Sequence, residues 1–199
     1  RSWPTPRARG ALKLEGGVIQ ETRYREAIDE ICRGDEWGAM VLTEPGAGSD
    51  LGAIRCRAHV DEKGVWRLNG EKIFITSGHG KWQLVLARTS DPAEGESGLD
   101  GLSLFLVPRV IERDGEQVEN VKVTKVEEKL GHSSSPTVSL LYEDSQGELV
   151  GALGQGFELM LVLMNNARVA VGFEGLGVCE SAYRMATEYA AQRVTMGKA

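Results

Sequence analysis

The sequence predicts a mixed α and β protein in which an antiparallel β-barrel or sandwich is flanked by helical segments. Residues 39–150 contain eight short runs rich in Val, Ile, Leu and Thr, and turn residues such as Pro45-Gly46 and Asp114-Gly115 separate them. No helical pattern lies between these runs, which disfavours a parallel sheet with crossover helices. From residue 154 to residue 196, apolar side chains instead recur every three or four positions, as in a helix.

The composition is that of an ordinary globular protein. Of 199 residues, 41 per cent are hydrophobic and 26 per cent are charged, and the net charge is −6. The excess of acidic residues disfavours nucleic-acid binding, because no basic stripe is available for phosphates. No apolar run approaches the roughly 20 residues of a membrane span, and no signal peptide is visible. Cys32, Cys56 and Cys179 are interpreted as reduced thiols of a cytoplasmic protein, without a disulfide or metal site.

Residues 1–38 are predicted to be loop followed by one short helix. Glycines and prolines break up the first twenty residues. Tyr24, Ile28 and Ile31 then form one apolar stripe, which predicts a helix from about residue 23 to residue 33.

The middle segment, residues 39–150, contains one predicted hairpin. The runs VWRLNG and KIFITS lie on either side of Asn69-Gly70. This dipeptide favours a tight turn between antiparallel strands.

The last segment, residues 151–199, is predicted to be mostly one long helix. Leu176, Cys179, Tyr183, Ala186 and Ala190 form a seam for packing against other helices. The upstream run FELMLVLM is apolar nearly all round, which predicts burial on several sides. We therefore expect an oligomer or further C-terminal sequence to cover this helix, and the chain, which lacks an initial Met, to be a fragment.

The most specific motif is MVLTEPGAGSDLG, residues 40–52. Gly46 and Gly48 permit positive φ angles, and successive amides in such a loop can form a concave nest for an anion. Thr43 and Ser49 add hydroxyl donors. The alternative is a plain glycine turn between two strands.

Three further segments carry candidate site residues. KIFITSG (72–78) places Phe74 and Thr76 on one strand face, which suits a flat heteroaromatic ring or an ordinary barrel strand. NNAR (165–168) places a charge in an apolar helix, where a buried arginine needs acceptors, for example in an interhelical ion pair. QRVTMG (192–197) ends the helix with Arg193, which also suits a cation near a helix C-terminus.

In this order and spacing, these segments resemble the acyl-CoA dehydrogenase family. TEPGAGSD followed by K-I-[FW]-I-T-[SN]-G is distinctive, and EEKLG (127–131), LVGALGQGFELM (149–160) and RVTMGKA (193–199) extend the resemblance over residues 36–199. The stretch NNARVAVGFEGLG and the loop GHSSSP are similar to a larger-subunit branch that includes methylmercaptopropionyl-CoA dehydrogenases. Residues 1–20 do not resemble the family.

The resemblance implies a flavoprotein with a β-barrel middle domain between two helical bundles. Residues 1–38 would be a remnant of the N-terminal bundle, 39–150 the barrel that binds flavin and acyl-CoA, and 151–199 the truncated start of the C-terminal bundle. The implied FAD contacts are Met40, Leu42, Thr43, Gly48, Ser49, Phe74, Thr76, Arg193 and Thr195, the last two reaching a neighbouring subunit's flavin. The implied substrate contacts are Ser49, Asn165 and Arg168.

The implied reaction is α,β-desaturation of an acyl-CoA thioester, with an electron-transfer flavoprotein as electron acceptor. Some members carry a catalytic glutamate just before the arginine, but Ala167 stands there. Glu174 lies about 10.5 Å further along the helix, too far for the same role. We therefore expect the base beyond Ala199 and an inactive fragment. An acyl-CoA oxidase and a non-catalytic flavin or acyl-CoA binding module stay open as alternatives. A homodimer or homotetramer is also implied, in the mitochondrial matrix if the source is eukaryotic.

Overall fold

The computed structural model describes the backbone of residues 14–15 and 18–19, and all of residues 24–90 and 98–197. Within the segment predicted as loop, strands β1 (Leu14–Glu15) and β2 (Val18–Ile19) pair antiparallel. The rest of that predicted loop, the Asp91-Pro92 turn and the last two residues of RVTMGKA lie outside the described residues.

The short helix expected near residues 23–33 is present as α1 (Arg25–Arg33). Its predicted stripe faces the protein, since Tyr24 and Ile28 are both buried. Gly34 ends the helix with a φ of 79°, and its amide bonds back to the carbonyls of the last turn.

The middle segment is a closed barrel. Its strands are β3 (Gly38–Val41), β4 (Arg57–Val60), β5 (Trp66–Thr76), β6 (Trp82–Arg88), β7 (Leu102–Pro108), β8 (Val110–Arg113), β9 (Glu116–Glu119), β10 (Lys122–Val126) and β11 (Thr137–Val150). Strand β7 pairs with both β6 and β11, and this closes the ring β11, β5, β4, β6, β7. Leu68, Val85 and Phe105 fill the core without solvent exposure. The prediction of a β-barrel with flanking helical segments is confirmed.

Two strand pairings are parallel, whereas the sequence predicted an antiparallel barrel. Strand β6 pairs parallel with β3 and, at one residue, with β4. A parallel pair needs a long crossover, which is usually a helix. Here β4 and β5 provide the crossover from β3 to β6, and no helical pattern marks it.

The hairpin expected at Asn69-Gly70 is wrong, because β5 runs straight through both residues. A Cβ on Gly70 would lie 2.8 Å from Cα of Cys56 on the segment leading into β4. Glycine is therefore needed for close approach of two backbones rather than for a turn. The two-residue hairpin lies instead between β8 and β9, where Asp114 and Gly115 have φ angles of 54° and 82°.

The helix of the last segment is α2 (Gly156–Gln192). The chain divides into two compact units, residues 1–163 and 164–199, so the start of α2 belongs with the barrel. In the run FELMLVLM only Met160 and Leu163 are buried, so the expected burial on several sides is found on one face only.

One helix of the described residues, α2, meets the length and composition criterion for a membrane span. By length and composition it is sufficient, since an 18-residue window has a mean hydropathy of 1.2. The sequence contains no unbroken apolar run of about 20 residues, but a window average tolerates isolated charges. Core helices of large proteins meet the same criterion.

Candidate functional site

The glycine-rich loop begins where β3 ends at Val41. Reciprocal backbone hydrogen bonds of 2.9 and 3.1 Å between Glu44 and Ala47 close its turn. Gly46 and Gly48 are exposed, but neither has the positive φ that the sequence suggested. Among the described residues, none accepts a hydrogen bond from the amides of Gly46, Gly48 or Ser49. The loop therefore has backbone N–H groups available to a ligand. It lacks the left-handed backbone conformation of the expected anion nest.

A buried ion pair holds this loop against β5. Lys72 Nζ lies 2.8 Å from Glu44 Oε1, with the side chains 0 and 6 per cent exposed. Both carboxylate oxygens of Glu44 also accept backbone amides, from Arg55 at 2.7 Å and Cys56 at 3.0 Å. No sequence pattern singled out either residue, although Glu44 lies inside the first motif and Lys72 opens the second.

Beyond Lys72, strand β5 carries a bulge that turns Phe74 outward. Ile73 and Phe74 together face the single residue Ser139 of β11. Phe74 has a φ of 59°, unusual for a bulky residue, and its side chain is 60 per cent exposed. Thr76 is also exposed and Ile75 between them is buried, so Phe74 and Thr76 share the outer face.

The two motifs meet at one junction. The amide of Ile73 donates to the Thr43 carbonyl over 2.9 Å, directly beside Phe74. A Cβ on Gly48 would lie 3.8 Å from the Thr43 methyl group, so the glycine loop also reaches this point. Met40 and Leu42, half-buried, lie in the same β3 segment. The seven barrel residues implied as FAD contacts thus lie on two segments that are joined at Thr43 and Ile73.

Arg88 of β6 braces the far end of the loop. Its guanidinium is buried and donates to the carbonyls of Gly52 (2.7 Å), Ile54 (3.0 Å) and Gly98 (3.2 Å). The Gly52 carbonyl belongs to a 3₁₀ turn (Leu51–Ala53) that Asp50 caps. No sequence pattern pointed to Arg88, because a lone arginine in a strand gives no signal.

Polar side chains also lie inside the barrel below the junction. Burial raises the pKa of the Cys56 thiol to about 11. Burial also raises the pKa of Tyr142, whose hydroxyl donates to Gln83 Oε1 over 2.5 Å. Both groups are therefore neutral at physiological pH, and neither is a ready nucleophile.

The remaining predicted residues lie in the second unit. Arg168 is exposed rather than buried, and its Nη1 donates to Asn165 Oδ1 over 3.2 Å. This corrects the expectation of a buried arginine in this unit. Arg193 and Thr195 follow the end of α2 and are exposed, and Glu174 is exposed on the helix. Among the described residues, no group of three or more His, Cys, Asp or Glu could hold a metal ion.

Two family descriptions match the chain. Residues 39–145 match the acyl-CoA dehydrogenase middle domain, and residues 154–199 match the acyl-CoA dehydrogenase C-terminal domain.

The chain belongs to the acyl-CoA dehydrogenase family.

Named proteins of this family share its sequence and fold. The 3-methylmercaptopropionyl-CoA dehydrogenase of Ruegeria pomeroyi is 39 per cent identical over 92 per cent of this chain and 32 per cent of its own length. Butyryl-CoA dehydrogenase from Megasphaera elsdenii has a TM-score of 0.76 at 31 per cent identity, covering 92 per cent of this chain and 45 per cent of that one. A chain in the structure titled "Electron transferring flavoprotein of Acidaminococcus fermentans: Towards a mechanism of flavin-based electron bifurcation" has a TM-score of 0.73 at 30 per cent identity, with the same coverage.

The chain thus spans less than half the length of these relatives. Membership of the acyl-CoA dehydrogenase family also bears on α2. All of this apolar helix lies within the match to the family's C-terminal domain.

Proposed function

We propose that this chain is the flavin platform of an FAD-dependent acyl-CoA dehydrogenase, which desaturates an acyl-CoA thioester between its α and β carbons. The observation that carries this proposal is the junction at which the Glu44–Lys72 pair and the Thr43–Ile73 bond fasten the glycine loop beside Phe74. Membership of an oxidoreductase family supports it.

The barrel residues fit FAD in two respects. Open amides at Gly48 and Ser49 suit an anionic pyrophosphate, and a Cβ at Gly46 would meet nothing within 4 Å, so a ligand can approach the backbone closely. Exposed Phe74 and half-buried Met40 both offer apolar surface to a flat ring. When bound, FAD supplies the hydride-accepting chemistry that side chains lack.

Each site residue then has a proposed role. Met40, Leu42 and Thr43 line the flavin ring, Phe74 packs over it, and Thr76 offers a hydroxyl donor. Ser49 contacts both the flavin and the pantetheine arm. In the second unit, Asn165 and Arg168 contact substrate, while Arg193 and Thr195 reach the flavin of a neighbouring subunit in a homodimer or homotetramer.

The base that removes the α-proton is proposed to lie outside these 199 residues. Ala167 cannot take a proton, and Glu174 lies two helical turns further on. The chain alone should therefore bind FAD weakly and leave it oxidised. Cytoplasm is the proposed location, or the mitochondrial matrix in a eukaryote, and an electron-transfer flavoprotein is the proposed acceptor. The likeness to a chain in a structure titled for such a flavoprotein supports the acceptor.

The test is purification of the longer protein that contains this chain, followed by anaerobic titration with a panel of acyl-CoA thioesters. We expect bound flavin that loses its yellow colour on substrate addition. Turnover with an artificial acceptor but not with air would separate a dehydrogenase from an acyl-CoA oxidase. A colourless protein that stays unchanged when FAD is added would overturn the proposal.

A further inference from the structure

Lys72 is the most deeply buried cation of the described barrel residues. Its side chain has no solvent exposure, and its ammonium group has three oxygen partners: the Leu42 carbonyl at 2.9 Å, the Leu86 carbonyl at 2.7 Å and Glu44 Oε1 at 2.8 Å. Both carbonyls accept hydrogen bonds from the ammonium group, and Glu44 neutralises its charge as an ion-pair partner. Lys72 thus binds the start of the glycine loop, strand β6 and Glu44 from the inside of the barrel.

Both carboxylate oxygens of Glu44 also have partners. Its carboxylate accepts hydrogen bonds from the Arg55 and Cys56 amides and forms an ion pair with the ammonium group of Lys72. These amides lie on the segment by which the chain leaves the loop toward β4. Glu44 therefore ties the exit of the loop to its entry, and Lys72 ties the entry to β5 and β6.

Stability alone does not explain such a pair. Removing two charges from water is costly, and well-packed apolar residues often serve a core as well or better. What an apolar pair could not do is fix two carbonyls and two amides of a short loop in one arrangement. The pair lies where the two predicted flavin-binding segments join, and the loop it holds carries the open amides of Gly48 and Ser49.

We propose that Glu44 and Lys72 are positioning residues that hold loop 42–49 in the geometry that binds flavin. This inference rests on the proposed function. Neither side chain touches the ligand, because both are buried beneath the loop. They act through the Leu42 carbonyl and through the turn that Glu44 begins.

The experiment compares the longer protein that contains this chain with its Glu44→Gln/Lys72→Met variant. These replacements keep the size of both side chains and remove both charges, so no unpaired ion is left in the core. The control is Asp61→Asn/Arg67→Met, which neutralises an ion pair of 2.8 Å near the start of β5, far along the strand from the loop. Two readouts are taken for each protein: hydrogen–deuterium exchange of residues 42–56 without FAD, and the FAD dissociation constant with the visible circular dichroism of the bound flavin.

We expect the Glu44/Lys72 variant to unfold cooperatively, to exchange its loop amides at least tenfold faster, to bind FAD at least tenfold more weakly and to change the flavin dichroism. The control should match the parent within twofold in all of these. Should the double variant not fold, Glu44→Asp alone is measured, which keeps the charge pair but shortens the carboxylate side chain by one methylene, with at least threefold effects expected on exchange and FAD affinity.

Unchanged loop exchange with unchanged FAD affinity in a folded variant would overturn the positioning role. Equal losses in the control variant would overturn it as well, because the effect would then be general. A parent protein that binds no FAD would overturn the proposed function instead. The exchange of residues 42–56 would still decide whether the Glu44–Lys72 pair holds loop 42–49.

Discussion

Phe74 holds a backbone conformation that glycine adopts far more readily, and it exposes most of its ring. A bulky residue with positive φ costs on the order of 1–3 kcal/mol and persists where the surroundings impose it. Such strain points to a functional demand on the position. The bulge opposite Ser139 delivers the aromatic ring to the outer face, where we propose that the flavin lies.

Phe74→Gly should therefore stabilise the chain while weakening its site. Relief of the φ strain outweighs the small loss of ring contact, so we expect the free energy of unfolding to rise by about 1 kcal/mol. FAD binding by the longer protein should fall. Chemical denaturation and flavin titration measure the two effects. Phe74→Ala is the matched control, since it removes the ring but keeps a Cβ at positive φ; a gain in stability there would contradict the strain argument.

Cys56 should resist alkylation in the native chain. Its raised pKa, about 11, leaves little thiolate at pH 8, and its side chain is only 1 per cent exposed. Cys32 is exposed and serves as the internal control. Mass spectrometry after brief iodoacetamide treatment should find Cys32 modified and Cys56 intact until denaturant is added. Equal labelling rates at both thiols would show that the barrel opens far more readily than its packing indicates.

At the residue scale, the sequence predicted which two barrel segments form the candidate site but not the contacts that position them. The shared face of Phe74 and Thr76 follows from strand alternation, so it could be read in advance. The Glu44–Lys72 pair could not, because an ion pair 28 positions apart depends on the strand register. The bulge at Phe74 was also hidden, since no glycine or proline marks it.

At the scale of elements, the Glu30 carboxylate ties α1 to the start of β6 through two hydrogen bonds. Glu30 accepts from Lys81 Nζ at 2.8 Å and from Trp82 Nε1 at 2.6 Å. Burial tends to raise the pKa of Glu30, but the two hydrogen bonds together with the charges of Lys81 and Arg33 outweigh it and lower the pKa below its usual value of 4.5. A depressed carboxyl pKa adds stability above the unfolded value, and that stability is lost as the pH falls through the folded pKa.

Glu30→Gln should destabilise the chain by about 1 kcal/mol at neutral pH, because a charged acceptor is replaced by a neutral one. The difference from the parent should persist down to about pH 4.5 and then shrink in acid as Glu30 becomes protonated. Urea unfolding across this range is the measurement. Glu26→Gln removes a carboxylate that is 70 per cent exposed, so it should change little. A Glu30 effect that is independent of pH would argue against the linkage.

Whether an element could be predicted from the sequence depended on its length and on how clearly its apolar residues stood out from polar ones. Helix α1 and most barrel strands follow from apolar periodicity. Strands β8 and β9 were missed because VIER and EQVE are too polar to stand out, although the turn residues between them were noted. Asn69-Gly70 led to the wrong prediction of a hairpin, because the same dipeptide occurs in tight turns and where two backbones lie close together.

At the scale of the whole molecule, the second unit exposes a long apolar helix. Phe173, Leu176 and Tyr183 are each more than 60 per cent exposed. Exposed apolar surface of this extent marks an interaction site. Which protein segment covers it could not be read from sequence periodicity, because a seam specifies a partner's shape but not its identity.

Leu176→Glu/Tyr183→Glu should therefore reduce self-association of this chain without altering the barrel. We expect a smaller weight-average sedimentation coefficient at micromolar concentration, because two charges interrupt the apolar seam. The urea transition of the barrel, followed by tryptophan fluorescence, should stay unchanged, since both positions lie in the other compact unit. Identical sedimentation of variant and parent would contradict a role for the seam.

The pairing of β5 with β11 has a consequence for the order in which the chain can fold. One edge of β5 pairs early with β4, but its other edge is covered only by residues 137–147, after β6, β7 and the β8–β9 hairpin have been synthesised. Closing so long a loop costs entropy before any contact repays it, so pairings of this kind form slowly. On the ribosome, the edge of β5 that carries Lys72 and Phe74 waits unpaired until β11 emerges. The barrel face that carries Phe74 and Thr76 is thus completed late in synthesis, and until then the exposed β5 edge is open to pairing with other chains.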